Sequence, residues 1–346
     1  MKKIINKAFA GNKLSCEDIE QLVSAINNET VSSEQVAAIL GAISARSYQN
    51  GSKTEHGATP EEISDFAKAL KKYSKEINLK CDKGFIDVCG TGGDCLGTFN
   101  ISTTVSFVIA SLGAKVAKHG SRAVSSKSGS ADVLEKLGIN IELSEDKLQK
   151  VLDETGMVFL FAPHYNLGMA KIKKIRNSIG VPTIFNLLGP LINPVKLDYQ
   201  VIGVYDKSKC ELIAQSLKHI GVKKAMVVHG NDGLDELSTT CDNTVYYLSD
   251  NNVTKLEMPS YKDFGIPKAN INEIKGGNSE ENAQIILDIL NGKKGAKRDI
   301  VLLNSAAALI VAGIAKDFYD GIEKAAKAID DGLALNVLER LKNVSR

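Results

Sequence analysis

Along the first seventy-odd residues, apolar positions return every three or four places. Val36, Ile39, Leu40 and Ile43 show the spacing, which is that of one buried helix face. Start signals agree with it. Ser15 followed three residues later by Asp18 resembles a capping box. Thr59-Pro60-Glu61-Glu62 supplies an N-cap, a proline at the first helical position and acids on the helix dipole. Between these segments, "YQNGSKTEHGA" reads as a polar loop, and nothing up to residue 76 reads as a strand.

From Phe85 the rhythm changes. "FIDVC" is an apolar run closed by Gly90, and "TTVSFVIASLGA" a helix ended by Gly113. "KVAKHG" is a strand, "SADVLEKLG" a helix capped by Ser130, and "GMVFLFA" a strand. "YQVIGVY", "SKCELIAQSLKHIG" and "KAMVVHG" continue the alternation of strand and helix. Such alternation predicts an α/β fold with a mainly parallel sheet covered on both faces. "TVYYLSDNNVTKLEM" departs from it, reading as an antiparallel edge hairpin turned at Asp250-Asn251-Asn252. The stretch from Tyr165 to Leu188 reads as two helices broken at Gly180-Val181-Pro182, returning to the N-terminal helical region. From Ser305 onward the chain is again helical.

Composition narrows the class. The 346 residues are 43% hydrophobic, with 29 Gly and 7 Pro, a globular balance with material for two domains. Forty-three basic and 41 acidic residues leave a net charge of +2, so a polyanionic partner such as nucleic acid is not expected and any anion site is local. The six cysteines form no CxxC pair and read as reduced thiols of a cytoplasmic protein. The basic start lacks the apolar stretch of a secretory signal, and no run reaches membrane-spanning length.

Chemistry concentrates in a few stretches. "DVCGTGGDCLGTFNIST", Asp87 to Thr103, follows a strand and holds four glycines between Gly90 and Gly97. Bare backbone N–H groups there can wrap an anion, with the next helix aiming its N-terminus at the same place. Neither familiar phosphate loop fits: Cys95 replaces a glycine of the dinucleotide fingerprint, and Thr98 replaces the Walker lysine. "KHGSRAVSSKSGS", Lys118 to Ser130, adds hydroxyls and cations, and no acid occurs from Cys95 through Ala131. This composition suits a ligand with several phosphates. Such a ligand brings magnesium, for which Asp235-Glu236, just past "KAMVVHG", and the Ser102 hydroxyl supply hard oxygen ligands. Arg176 lies in the helical return segment, while His119 and His164 are ligand or base candidates without a visible partner.

Taken together, "GTGGD", "TFNIST", "KHGSRAVSSKSGSADVLEKLG", "IRNSIGVPTIFNLLGPLINP", "GLDELS" and "GGNSEENAQIILDILNGKKG" resemble the anthranilate phosphoribosyltransferase family over nearly the whole chain. The resemblance implies a small all-helical domain (residues 1–76 plus 165–190) hinged to a large α/β domain (77–164 plus 191–346). It further implies a homodimer through the helical domains, a cytoplasmic enzyme of tryptophan biosynthesis, and no contact with nucleic acid or membrane. The reaction implied is transfer of phosphoribose from phosphoribosyl pyrophosphate (PRPP) to the anthranilate amine with Mg²⁺, two ions per subunit.

By the same resemblance, Gly90, Gly93, Asp94, Thr98, Asn100, Ile101, Ser102 and Thr103 would hold PRPP. So would Lys118, His119, Gly120, Ser121, Arg122, Ala123, Val124, Ser125, Ser126 and Ser130. Gly90, His119, Ser121, Arg176 and Pro190 would surround anthranilate; Ser102, Asp235 and Glu236 would meet the metal. Lys118 and Arg176 would stabilise charge and position the reactants, with no residue as general base. Ser121 stands where the family pattern has Asn, losing the amide's paired donor and acceptor. A nucleoside phosphorylase of the same fold and a non-catalytic nucleic-acid-binding relative are the alternative readings.

Overall fold

The structure, a computed structural model, describes residues 1–46, 57–123 and 127–346. It opens with α1 (Lys2–Phe9), α2 (Cys16–Asn27), α3 (Ser33–Ala45) and α4 (Pro60–Lys71). Helices α2 and α4 begin as their sequences predict, with reciprocal capping boxes at Ser15/Asp18 and Thr59/Glu62, and α3 repeats the device with Ser32/Gln35. Each box satisfies two N–H groups that the helix itself cannot. The polar loop after α3 lies mostly outside the described residues.

The alternating region follows as β1 (Phe85–Gly90), α5 (Ile101–Ser111), β2 (Lys115–Gly120), α6 (Ser130–Lys136), α7 (Glu145–Thr155) and β3 (Met157–Phe161). Then come α8 (Ala162–Tyr165), α9 (Leu167–Ile179) and α10 (Phe185–Leu188), followed by β4 (Tyr199–Gly203), α11 (Cys210–Ile220) and β5 (Lys224–Gly230). Hairpin β6 (Asn243–Ser249) and β7 (Asn252–Leu256) turns where expected, on Asp250 and Asn251, both at positive φ. Helices α12 (Ser279–Leu290), α13 (Ala296–Val311), α14 (Phe318–Asp330) and α15 (Leu333–Val344) complete the chain. Among the described residues no helix is long and apolar enough to cross a membrane.

Two local expectations are corrected. Ser130 is not the cap of α6: Gly129 occupies that position and Ser130 is the first helical residue. The Asp132 carboxylate accepts from the N–H groups of Gly129 (2.9 Å) and Ala123 (2.8 Å), so it satisfies the helix start and the Ser130 hydroxyl turns to the Ser121 carbonyl. The second helix of the return segment shrinks to one turn, α10, and passes into a 3-10 turn over Gly189–Ile192, where Pro190 has no N–H to continue it.

The seven strands lie in the order β3-β2-β1-β4-β5-β6-β7, the first five parallel and the last two antiparallel. From β1 the chain winds outward to β2 and β3, then returns to build β4 and β5 on the other flank. Strand order therefore reverses between β1 and β4, the place where open α/β sheets leave a crevice beyond the carboxyl ends. There Gly90 lies beside Gly203. One sheet face packs on α5, α13 and the C-terminal helices around Phe107, Val108, Leu303 and Leu338. On the other face a continuous apolar core runs from Ile19, Leu40 and Phe66 through Ile172 and Phe185 to Ile202, Ile213 and Val227. The helical bundle is thus seated directly on the α/β domain through α4 and α11.

Candidate active site

The floor of the crevice is polar and buried. Asp87 of β1 is fully buried; its carboxylate accepts from Asn193 Nδ2 (2.9 Å) and from the His119 N–H (3.4 Å). Asn193 also donates to the Ala117 carbonyl (2.8 Å) and accepts from the Val195 N–H (2.9 Å), so one side chain ties β1, β2 and the loop before β4. Burial raises Asp87 to about 6, against the opposing pull of Lys118. Lys118 is only 2% exposed, and its Nζ donates to the Val88 carbonyl (2.7 Å) and the Ser102 hydroxyl (3.3 Å). A buried ammonium is thereby held under the start of α5.

Above this floor the glycine loop folds onto the acid pair. The Gly92 N–H donates to Asp235 Oδ2 at 2.7 Å. Asp235 presses so close that an ideal Cβ on Gly90 would fall 2.1 Å from its Oδ2, and one on Gly203 1.5 Å from its carbonyl oxygen. Glycine at these two positions is therefore a matter of space. Asp235 and Glu236 are half-buried. Both carboxyls are pushed well up, first by burial and then by one another's neighbourhood, Asp94 acting on Asp235 and Asp235 on Glu236. Lys118 opposes the shift at Glu236, which also accepts from the Ser102 backbone N–H. The loop carrying the acids is registered by Asn304 of α13, which accepts from the Leu237 N–H (2.9 Å) and donates to the Leu237 carbonyl (2.8 Å).

These oxygens suit a divalent cation. Partly buried carboxylates raised by neighbouring acids, Asp94 at Asp235 and Asp235 at Glu236, are offset by Lys118 at Glu236 alone, and the Ser102 backbone N–H meets Glu236 beside them. Among the described residues no three His, Cys, Asp or Glu side chains form a ready-made cage. Few protein ligands, with the remainder from water and substrate, is what Mg²⁺ accepts and a tight structural site does not.

The other expected residues divide clearly. Gly93 (φ +91°) lies against the Tyr205 ring, and Cys95 takes a left-handed turn (φ 56°). Thr98 bridges Lys275, and the Gly97 carbonyl accepts from the Gly276 N–H at 2.9 Å. Asn100 is braced by Asn282 Nδ2 (2.9 Å) and in turn donates to the Ser128 carbonyl (3.1 Å). Ile101 and Thr103 are buried in the core. Gly120 packs on the Ser130 hydroxyl, Ser121 is exposed, and Ala123 is tied to Asp132. Arg122 pairs with Glu135 and Asp132 and covers the Phe161 ring at 5.5 Å. Val124, Ser125 and Ser126 lie outside the described residues.

On the anthranilate side, His119 is buried against Asn166, and Pro190 is held by Gln200 Nε2 on its carbonyl (2.6 Å). Arg176 is half-buried, its pKa lowered by burial. No hydrogen bond or ion pair among the described residues joins Arg176 to Gly90, His119 or Pro190. His164 is exposed, edge-on to Phe161. Asp87, Asn166, Asn193, Gln200, Gly203, Asn282 and Asn304 are supporting residues that sequence reasoning left without a role. Asn193 and Asn282 at least fall inside "LINP" and "GGNSEEN".

Fold and site together define a two-domain glycosyl transferase. Residues 2–74 match the glycosyl transferase family, helical bundle domain, and residues 82–335 the glycosyl transferase family, a/b domain. Over 341 residues the chain is 44% identical to the anthranilate phosphoribosyltransferase of Clostridium beijerinckii, covering 99% of this chain and 98% of that one. The crystal structure of the enzyme of that name from Thermus thermophilus superposes with a TM-score of 0.89 at 33% identity, over 99% of both chains. The Saccharomyces cerevisiae one, in complex with PRPP and Mg, gives 0.86 at 27% identity, over 99% of this chain and 97% of that. The chain belongs to the anthranilate phosphoribosyltransferase family.

Proposed function

We propose that this protein transfers the 5-phosphoribosyl group of PRPP to the amine of anthranilate, releasing pyrophosphate, as a step of tryptophan biosynthesis. The observation that carries the reading is the convergence, at the β1/β4 reversal, of the Gly90–Asp94 loop, Lys118 with Ser102, and the acid pair Asp235-Glu236. The amine nitrogen forms a bond to the anomeric carbon as the bond from that carbon to pyrophosphate breaks. The leaving group keeps the electron pair, and the amine sheds its proton to water or to the departing pyrophosphate. An arylamine is neutral near pH 7 and already nucleophilic, so no residue is needed to deprotonate it first.

The main barrier is therefore charge separation at the sugar, and this site meets it with fixed charges. Asp235, Glu236 and Ser102 would hold Mg²⁺, two ions in our reading, which when bound supplies positive charge to the pyrophosphate oxygens. Lys118, fixed by Val88, adds a preformed cation below. N–H groups of the glycine loop and of residues 118–130 bind phosphate oxygens. Arg176, without an acidic partner among the described residues, pairs with the anthranilate carboxylate. Alignment of amine and carbon, with water kept out, contributes up to roughly 7–11 kcal/mol in well-oriented systems.

In this reading residues 1–76 with 165–190 form the helical unit, hinged on the remainder. Phe9 at the end of α1, Leu167 at the start of α9 and Val181 just past the end of α9 are all large, apolar and exposed, and support a homodimer there. Six free thiols accord with a cytoplasmic setting. The test is pyrophosphate release from PRPP, anthranilate and Mg²⁺, beside phosphorolysis of uridine. Release that needs all three components is expected; phosphorolysis without it would overturn the assignment. Arg176→Ala is expected to raise the anthranilate KM at least tenfold and leave the PRPP KM within about twofold.

A further inference from the structure

His119 sits at the end of β2, 9% exposed, with its Nε2 2.8 Å from Asn166 Nδ2. Asn166 is the residue before α9, and its Oδ1 accepts from the Ser74 hydroxyl, just beyond α4, at 3.0 Å. That hydroxyl can donate or accept and also lies 3.3 Å from the Leu70 carbonyl; with its shorter bond given to Oδ1, Nδ2 is the amide atom that meets the imidazole. An amide nitrogen only donates, so in this orientation Nε2 is the ring's acceptor. The ring proton then belongs on Nδ1, an assignment that follows from the hydrogen-bond network. Burial, with Lys118 and Lys71 as neighbouring cations, lowers His119 to about 4, so the ring is neutral at working pH and carries one N–H and one lone pair. Among the described residues, the buried side-chain atoms left without a partner are the hydroxyls of Thr183, Thr239 and Ser305; His119 Nδ1 is not one of them.

We infer that Asn166 is a positioning residue that locks His119 in the Nδ1–H tautomer, leaving it a hydrogen-bond donor for the anionic aromatic substrate and unable to take a proton from the amine. The inference rests on the anthranilate reading. It assigns a defined chemical form to a residue that the same site otherwise offers as a possible base. A single donor aimed at a carboxylate is worth about tenfold in affinity, or ~1.4 kcal/mol.

The test uses the full chain labelled with ¹⁵N-histidine. The His119 resonances are identified by loss in His119→Gln and followed in Asn166→Asp, whose carboxylate accepts where the amide donated. The unsubstituted protein is expected to show a protonated Nδ1 and a bare Nε2. Asn166→Asp is expected to move the proton to Nε2, raise the anthranilate KM about tenfold and leave the PRPP KM within twofold. A protonated Nε2 in the unsubstituted protein, or equal rises in both KM values, would overturn the inference. Should Asn166→Asp fail to fold, Ser74→Ala releases the amide instead; mixed tautomers with a raised anthranilate KM support the proposal, and an unchanged spectrum and KM refute it. If the unsubstituted protein has no activity on anthranilate, the functional reading falls, while the tautomer is still decided by the spectrum.

Discussion

Gly203→Ala is a small change with a large geometric consequence. The new methyl group would lie 1.5 Å from the Asp235 carbonyl oxygen, whereas Cβ contacts closer than 3.0 Å essentially do not occur. Strand β4 cannot retreat, because β1 and β5 hold it on both sides. The Asp235-Glu236 backbone must therefore recede by about 1.5 Å. A misplacement of about 1 Å in a catalytic constellation can cost on the order of 100-fold. We expect kcat to fall at least 100-fold, ~2.7 kcal/mol of barrier, together with about 1–3 kcal/mol of stability from overpacking. The assay is steady-state pyrophosphate release at saturating substrates, repeated across a Mg²⁺ titration, with a thermal melt to show that the variant folds. Gly41→Ala is the control: the site is exposed in the middle of α3 with nothing near the new methyl, and it should gain roughly 0.5–1 kcal/mol of stability. A folded Gly203→Ala enzyme with kcat within threefold of the parent and an unchanged Mg²⁺ response would refute the reasoning.

Two further outcomes follow from the charges and the braces. Asp235 and Glu236 titrate above their ordinary values, so the native state binds protons that the unfolded chain has released, and stability falls as pH rises through neutrality. Asp87, raised to about 6, acts in the same sense between about pH 4 and 6. His119, lowered to about 4, acts oppositely, but only below about pH 6.5. Mg²⁺ should therefore raise the melting temperature more at pH 8 than at pH 6; an equal or reversed gain would contradict a cation site at this pair. Asn282→Ala strips the partners from Asn100 Oδ1 and the Gly277 N–H, about 1–3 kcal/mol for groups left unsatisfied. PRPP affinity, read by calorimetry, should drop about tenfold with little change in the anthranilate KM, and an unaltered PRPP isotherm would show that the brace is not needed.

What could be read from the chain was local. Capping boxes, the glycine loop at a strand end and the turn at Asp250-Asn251 are decided within a few residues, and the structure agrees on each. Ser130 shows the limit even there: a good capping residue lost the position because Asp132 reached it first. Residues whose work is done at long range left no such trace. Asp87 reads as an ordinary acid until Asn193, 106 positions away, is seen on its carboxylate. His119 had no partner in view because Asn166 is 47 positions distant. Gly203 reads as one more strand glycine until the loop from β5 is laid over it. Strand order decides these meetings, and the alternation of strand and helix predicts that a parallel sheet exists without saying which strands are neighbours.

Asn304 gives the acid loop an unexpected dependency. Both polar groups of the Leu237 backbone are fastened to this one amide on α13, a helix to which none of the candidate ligands belongs. Each residue of a helix turns by about 100°. Deleting one residue anywhere between the start of α13 and Asn304 would swing that amide away and cast the carboxylates adrift, although no residue of the crevice had been touched. The address of the reacting centre is kept by a part of the molecule that takes no share in the reaction.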